Sequence, residues 1–227
     1  MCHYALAKLP VAEFCMTRKV FWDDPYLTEL TTTITALDGN DVRVADTILY
    51  AFAGGQESDA GAIADRPVLA AVKEGREIRY TLADVTGLAV GDQVSMRLDW
   101  ERRYRLMRLH FAAEIVLELV TRQFDGVIKI GAHIAADKSR IDFLLAQSIA
   151  PVLPLLRERA QALIDADLAI DSAFSDEANE RRYWRIEGFA QVSCGGTHLK
   201  RTGEIGALEL KRKNVGKGKE RVEIYVH

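Results

Sequence analysis

Two pairs of side chains in this sequence have the types and spacing to hold a metal ion. His110 and Glu114, in RLHFAAEIV, stand four residues apart. On a helix, positions i and i+4 lie one above the other on the same face. Cys194 and His198, in SCGGTHLKRTGEIG, are also four apart, with Gly195 and Gly196 between them. A turn of that length brings a thiolate and an imidazole toward a common point. Imidazole, carboxylate and thiolate are all ligands that zinc accepts, most often as a tetrahedron. Each pair has an ordinary reading too. HxxxE on a helix is a common solvated pair, and CGG is a flexible turn beside a strand. The pairs lie far apart in sequence, so spacing alone does not join them.

The elements that must position these groups are partly legible. From Glu101 to Gln123 the chain has no Pro or Gly, and Leu106, Leu109, Ala113, Val116, Leu117 and Val120 recur at helical spacing. A second helix is expected over Pro154 to Asp167, and a third over Ser175 to Arg182 with Ser175 as its N-cap. GVIKIGAHIAADKSRIDFLL reads as a strand pair around a turn, and the tail alternates strands with glycine-rich turns, ending in RVEIYV. Before residue 100 the chain reads as all-β. Runs rich in Thr, Val and Ile are punctuated at Asp24-Pro25 and Asp38-Gly39-Asn40, and AFAGGQESDAGAI forms a glycine loop. A hairpin, VLAAVKEGREIRYTL, has Glu74-Gly75 at its tip, and VSMRLDW follows as a further strand. The expected class is α+β, with a β-barrel-like domain over residues 1–93 followed by an α/β domain over 94–227.

Composition bounds the function. The chain has 227 residues, 48% of them hydrophobic, which is enough for a sizeable core. A net charge of −3 gives no whole-molecule field that attracts a polyanion, so such a surface must be local. From Lys200 to Arg221 the sequence carries Lys200, Arg201, Lys211, Arg212, Lys213, Lys217, Lys219 and Arg221, opposed within that stretch only by Glu204, Glu209 and Glu220. Arg102, Arg103, Arg105 and Arg108 form a second basic run before His110. A solvated charged face is the ordinary reading. The two glycines in KRKNVGKGKER tilt it toward phosphate binding, which weakens as salt rises. Cys2, Cys15 and Cys194 are too few for a disulfide framework and suit a reducing compartment. The N-terminus lacks the pattern of a secretion signal, and no stretch approaches the roughly 20 apolar residues of a membrane span. A cytoplasmic protein is expected. Cys2, His3, Cys15, His133 and His227 are expected to stand outside the chemistry, and Trp22, Trp100 and Trp184 to be packing residues.

Five blocks carry a resemblance. WDDPYLTEL with ADTILYAFAGGQESDAGAI, then VGDQVSMRLDWERRYRLMRLHFAAE, GAHIAADKSRIDF, SCGGTHLKRTGEIGALEL and GKGKERVEIYV occur in that order from about residue 20 to the end. Together they resemble the freestanding AlaX-type alanyl-tRNA editing proteins, relatives of the editing domain of alanyl-tRNA synthetase. The resemblance implies a hydrolase acting in trans on the acceptor end of mischarged tRNA(Ala), chiefly seryl- and sometimes glycyl-tRNA(Ala). It implies a β-barrel-like N-terminal domain joined to an α/β editing domain that holds one zinc ion per chain. By position, His110, Cys194 and His198 carry over as ligands. The family's first motif is H-x-x-x-H, and here its second position holds Glu114, while Phe111 replaces the usual threonine. Three outcomes stay open: Glu114 ligates and neutralises the site, it turns away and leaves the fourth position to water, or zinc is lost. The last would leave a tRNA-binding module without hydrolysis. A metal-dependent esterase for small molecules is a third reading. Gln56, in the GGQ loop, and Thr197 are candidate catalytic groups, with a structural turn and a strand-edge hydroxyl as their ordinary readings. Arg108 joins the basic residues as a candidate tRNA contact.

Overall fold

A computed structural model describes residues 16–216 and 218–227; Cys2, His3, Cys15 and Lys217 lie outside them. The first part begins with β1 (Arg18–Lys19) and a single helical turn, α1 (Val20–Asp23). Seven strands follow: β2 (Glu29–Asp38), β3 (Asp41–Val44), β4 (Asp46–Thr47), β5 (Gly61–Ile63), β6 (Arg66–Glu74), β7 (Glu77–Leu82) and β8 (Gln93–Leu98). Their period-2 pattern is plain in β8, where Val94, Met96 and Leu98 are buried and the residues between them face water. Six of them pair in the order β2-β3-β7-β6-β5-β8 and close on themselves as a barrel. Ile34, Val42, Val44, Ile63, Tyr80 and Met96 fill its interior. The hairpin between β6 and β7 turns at Gly75, whose φ of 62° is left-handed backbone that favours glycine. The two-residue strand β1 pairs in parallel with β4 and anchors α1 against the barrel.

The second part is built on α2 (Trp100–Gln123). Asp99 caps it, its carboxylate accepting a hydrogen bond from the Arg102 backbone N–H at 3.1 Å. The helix is buried on most sides because elements surround it. One neighbour is α3 (Leu153–Asp165), and another is an antiparallel sheet in the order β14-β15-β10-β9. Those strands are β9 (Ile128–Ile134), β10 (Ser139–Leu144), β14 (Leu208–Asn214) and β15 (Lys219–Val226). A three-stranded sheet of β11 (Asp171–Asp176), β12 (Arg181–Ile186) and β13 (Ala190–Ser193) completes the chain. The architecture is mixed α and β, mostly strands. Among the described residues no helix is long and apolar enough to cross a membrane.

The helix expected over Ser175 to Arg182 is instead a hairpin. Asp176 accepts hydrogen bonds from the backbone and side-chain nitrogens of Asn179, at 3.1 and 2.7 Å, and so reverses the chain. Beyond the turn Arg182, Trp184 and Ile186 are buried alternately, a strand period that a short window of charged residues concealed. Ser175 does not cap a helix; its hydroxyl donates to the Arg181 carbonyl across the hairpin.

Two hydrophobic cores result, one inside the barrel and one around α2, and Trp100 packs against both. Arg103, expected in a phosphate-binding run, is a buried pillar of this junction. It donates to both oxygens of Asp59, with Nε to Oδ1 at 2.9 Å, and to the carbonyls of Pro25 and Ile48.

Candidate metal centre

Helix α2 presents His110 and Glu114 on one face, and the segment after β13 folds back over that face. The ligand atoms of His110, Cys194 and His198 come within 4.8 Å of one another. The two distant pairs therefore do meet. The covering loop is pinned at several points. Trp22 Nε1 donates to the Gly195 carbonyl at 2.9 Å, and the Cys194 N–H donates to the Arg182 carbonyl at 2.9 Å. At Gly196 a Cβ would overlap the His110 ring and stand 2.8 Å from Gln56 Oε1, so a residue without a side chain is what lets the loop lie against the helix.

Each ligand is oriented from behind. His110 Nδ1 is 3.2 Å from the Thr197 carbonyl, which leaves Nε2 directed at Cys194 Sγ, 3.5 Å away. His198 Nδ1 is 2.9 Å from the Ser172 hydroxyl. His198 Nε2 is buried and has no hydrogen-bond partner. Leaving such an atom unsatisfied costs about 1–3 kcal/mol, a penalty that a cation at this point removes. Two imidazoles and one thiolate, each deprotonatable and each held by an outer hydrogen bond or loop contact, suit a metal ion of the zinc type. The residues fit the group.

Glu114 stands beside this trio rather than in it. Its Oε2 accepts a hydrogen bond from Trp184 Nε1 at 2.9 Å, while Oε1 is 3.5 Å from His110 Nε2 and 3.8 Å from Cys194 Sγ. Trp184 is thus more than packing, though it is fully buried and meets Phe111 edge-on. Burial disfavours charge on His110, but Cys194 and Glu114 outweigh it and raise the imidazole pKa to about 10. Burial also disfavours charge on Glu114, yet hydrogen bonding and attraction from His110, with Trp184, hold its carboxyl down at about 2. Burial, then the charge of His110, pushes His198 well below the usual histidine range. His198 is therefore neutral at pH 7, as a metal ligand must be, whereas His110 ligates only by giving up the proton that Cys194 and Glu114 favour, so ion and proton compete there.

The two expected catalytic groups are engaged with each other. Gln56 Nε2 donates to Thr197 Oγ1 at 2.9 Å, and the Thr197 N–H donates to Gln56 Oε1 at 3.3 Å. Both residues are 1% exposed. They brace the ligand loop against the barrel from a buried position. Gln56→Ala is expected to lower stability by about 1–3 kcal/mol, through the orphaned Thr197 groups, and to loosen metal retention. Thermal denaturation with and without a chelator checks this; an unchanged melting curve would contradict it.

The basic residues are less free than the sequence suggests. Arg108 donates to the carbonyls of Ile205 and His227, the latter at 2.6 Å, and so clamps the end of the chain. Arg201 pairs with Asp167 at 2.7 Å, Arg221 with Asp142 at 2.6 Å and Arg212 with Glu220 at 2.5 Å. Lys211 is 3.2 Å from Glu209, and Lys200 lies over the Tyr26 ring, 3.7 Å from Asp24. Three of these acids, Asp24, Asp142 and Asp167, come from other elements, which counting along the tail could not reveal. Lys213 and Lys219 are exposed and form no ion pair among the described residues.

A cavity of about 150 Å³ opens beside Gly196 and His198, walled by Trp22, Ser172, Arg182 and Lys200. No motif or spacing singled out Ser172 or Arg182; both belong to the hairpin that read as a helix or was left unassigned.

Comparison with known proteins follows this geometry. A family model described as the threonyl and alanyl tRNA synthetase second additional domain matches residues 182–223, from β12 into β15, a stretch that includes Cys194 and His198. The chain is 31% identical to the alanyl-tRNA editing protein AlaX-M of Pyrococcus horikoshii, over 93% of this chain and 98% of that protein. It is 30% identical to AlaX-M of Methanosarcina mazei, covering 91% of this chain and 95% of that one. It is also 33% identical to the alanine–tRNA ligase of Ignicoccus hospitalis, over 92% of this chain but 26% of that longer protein.

Proposed function

The chain belongs to the AlaX-M family of alanyl-tRNA editing proteins, and from that premise we propose that it hydrolyses mischarged tRNA(Ala) in trans, with seryl-tRNA(Ala) as main substrate and glycyl-tRNA(Ala) as a second. The observation that carries the reading is the convergence of His110, Cys194 and His198 beside a cavity of about 150 Å³. One zinc ion per chain is held by these three residues; when bound, it supplies positive charge that orients the substrate or polarises an oxygen in the cleft. The barrel, whose last strand β8 carries it to Leu98, past the expected boundary at residue 93, supports an editing domain over the rest of the chain, and the protein works in the cytoplasm on tRNA that the synthetase has released.

The chain's own residues do the positioning. Ser172 and the Thr197 carbonyl aim the two imidazoles, and the Gln56–Thr197 pair keeps the loop between them from shifting. An aminoacyl ester is already activated, so a placed water and an oriented ribose supply much of the needed rate. Serine differs from alanine by one hydroxyl. A cavity built with polar groups for that hydroxyl leaves them unpaired when alanine enters, which penalises the correct product.

Glu114 takes the place of a family histidine with its Oε1 turned to the ligand trio. Glu114→Gln keeps the shape and an acceptor for Trp184 but removes the charge. It is expected to weaken zinc affinity by about 10–100-fold, the usual range for outer groups that tune a metal site. Competition against a chromophoric chelator measures this; unchanged affinity would mean that the carboxylate plays no part in holding the ion.

The reading is tested with the purified chain, its zinc content, and release of serine, glycine and alanine from the three charged forms of tRNA(Ala). Zinc near one equivalent, with serine released far faster than alanine, is the expected result. Binding of tRNA with neither zinc nor release would overturn it and leave the tRNA-binding module. Ester hydrolysis that ignores tRNA and salt would point to a small-molecule esterase.

A further inference from the structure

One cation in the wall of the cavity has no ion-pair partner among the described residues. Arg182 is 6% exposed, and its guanidinium lies beside the edge-on pair of Trp22 and Phe174, 5.5 and 5.0 Å from their ring centroids. Its Nη2 donates to the Trp22 carbonyl at 3.0 Å, while Nε is buried without a hydrogen-bond partner. Among the described residues no carboxylate pairs with it. Asp23, which shares the cavity wall, is 2.8 Å from Arg18 instead. Arg103 shows the contrast, since an equally hidden guanidinium there is matched by Asp59. A buried charge without a partner is expensive, and a ligand that brings the counter-charge relieves the expense. The Trp22 carbonyl and the two neighbouring rings hold the guanidinium in place beforehand, so little order need be imposed on binding. Lys200 adds a second positive charge to the same wall, and His198 and Gly196 place the metal ligands beside it.

We propose that Arg182, with Lys200, is a phosphate subsite for the RNA strand whose terminal ester is cleaved at the adjoining centre. This rests on the deacylase reading and names the part of the substrate that reading left unplaced. The amino acid of the substrate is esterified and has no free carboxylate. The phosphodiester on the 5′ side of the terminal ribose is therefore the negative charge nearest the scissile bond. Guanidinium geometry matches phosphate, and such charge-assisted bonds are the strong ones. Arg182 holds the ribose in register with the centre and touches no reacting atom, so its contribution falls on KM more than on kcat.

Binding of 5′-AMP and of adenosine to the wild-type chain is the first test. AMP is expected to bind at least about tenfold more tightly, in line with one strong charge-assisted contact. Arg182→Met, whose unbranched side chain still packs beside the two rings, is expected to abolish that preference, and Arg182→Lys to keep part of it. With a seryl minihelix, R182M is expected to raise KM by about 10–100-fold while kcat stays within about threefold; seryl-adenosine, which has no phosphate, is expected to be hydrolysed as by wild type. Equal binding of AMP and adenosine by the wild type would overturn the proposal. Equal losses on minihelix and seryl-adenosine would also overturn it, since Arg182 would then act on the ester or on the fold. Free L-serine bound through Arg182 without AMP preference would assign the subsite to the released carboxylate and reject phosphate. Preference for AMP in a protein that hydrolyses no seryl-tRNA keeps the subsite and rejects the deacylase; turnover without that preference does the reverse.

Discussion

Cys194→Ser is expected to release the metal and to lower seryl-tRNA(Ala) hydrolysis by about 10²–10³-fold, the rate equivalent of several kcal/mol of charge stabilisation. Of the three converging ligands, Cys194 alone brings a formal negative charge and a soft donor. A serine hydroxyl stays protonated near neutral pH and leaves two imidazoles facing each other, with Glu114 Oε1 as the nearest anion. The replacement is almost isosteric, so the folded chain is expected to survive it. Its melting temperature should match that of the chelator-treated wild type. Acid is expected to act in the same direction, because ligation requires deprotonated sulfur and neutral imidazole and protons compete with the ion. Metal analysis of the purified variant decides the matter: a full equivalent of zinc in C194S would remove Cys194 from the ligand set.

A second large effect is expected far from the ligands in chemistry but near them in the chain. Asp59→Ala is expected to destabilise the protein by about 3–5 kcal/mol, because it leaves the Arg103 guanidinium buried without its counter-charge. Both side chains are 0% exposed, so water does not screen the loss. The Tyr50 N–H also loses its acceptor, Asp59 Oδ2, at 2.6 Å. For a chain of this length the drop corresponds to about 6–20 °C in melting temperature. Asp59 sits three residues beyond Gln56 in the glycine loop, so loosening there is expected to reach Thr197 and the ligand loop as well. Replacing both partners, Arg103→Met with Asp59→Leu, is expected to recover much of the stability, since a dry apolar pair avoids the desolvation cost. Chemical denaturation of the single and double variants measures this. An Asp59→Ala protein as stable as the wild type would show that the pillar does not hold the barrel to α2.

The contrast between these two sites explains what a reader of the sequence sees. His110, Cys194 and His198 were visible because metal ligation constrains residue type and short-range spacing at once. Asp59 and Arg103 carry no such signature. An aspartate after a GGQ turn and an arginine among three others look like surface charge until the fold places one against the other. Gln56 was conspicuous for its loop, but its amide is spent on Thr197 at both ends. Trp184 looked like packing, and its Nε1 turned out to hold Glu114. The segment from Ser175 to Arg182 failed as a helix because three acidic and two basic residues masked a two-residue period that becomes clear only from Arg182 onward.

By itself, the sequence determined the long central helix, the strand pattern of the first part, the hairpins at Gly75 and after Ile134, and the residue types of the ligand set. These follow from periodicity and turn chemistry, which act between neighbours in the chain. Only the tertiary structure decided that the two ligand pairs meet, that Trp184 holds Glu114, that Arg108 and Arg103 are clamps, and that Arg182 lines a cavity without an ion-pair partner among the described residues. The reason is physical: metal ligation, ion pairing and burial of charge depend on distances of a few ångströms between groups that can be far apart in sequence, and only packing sets those distances.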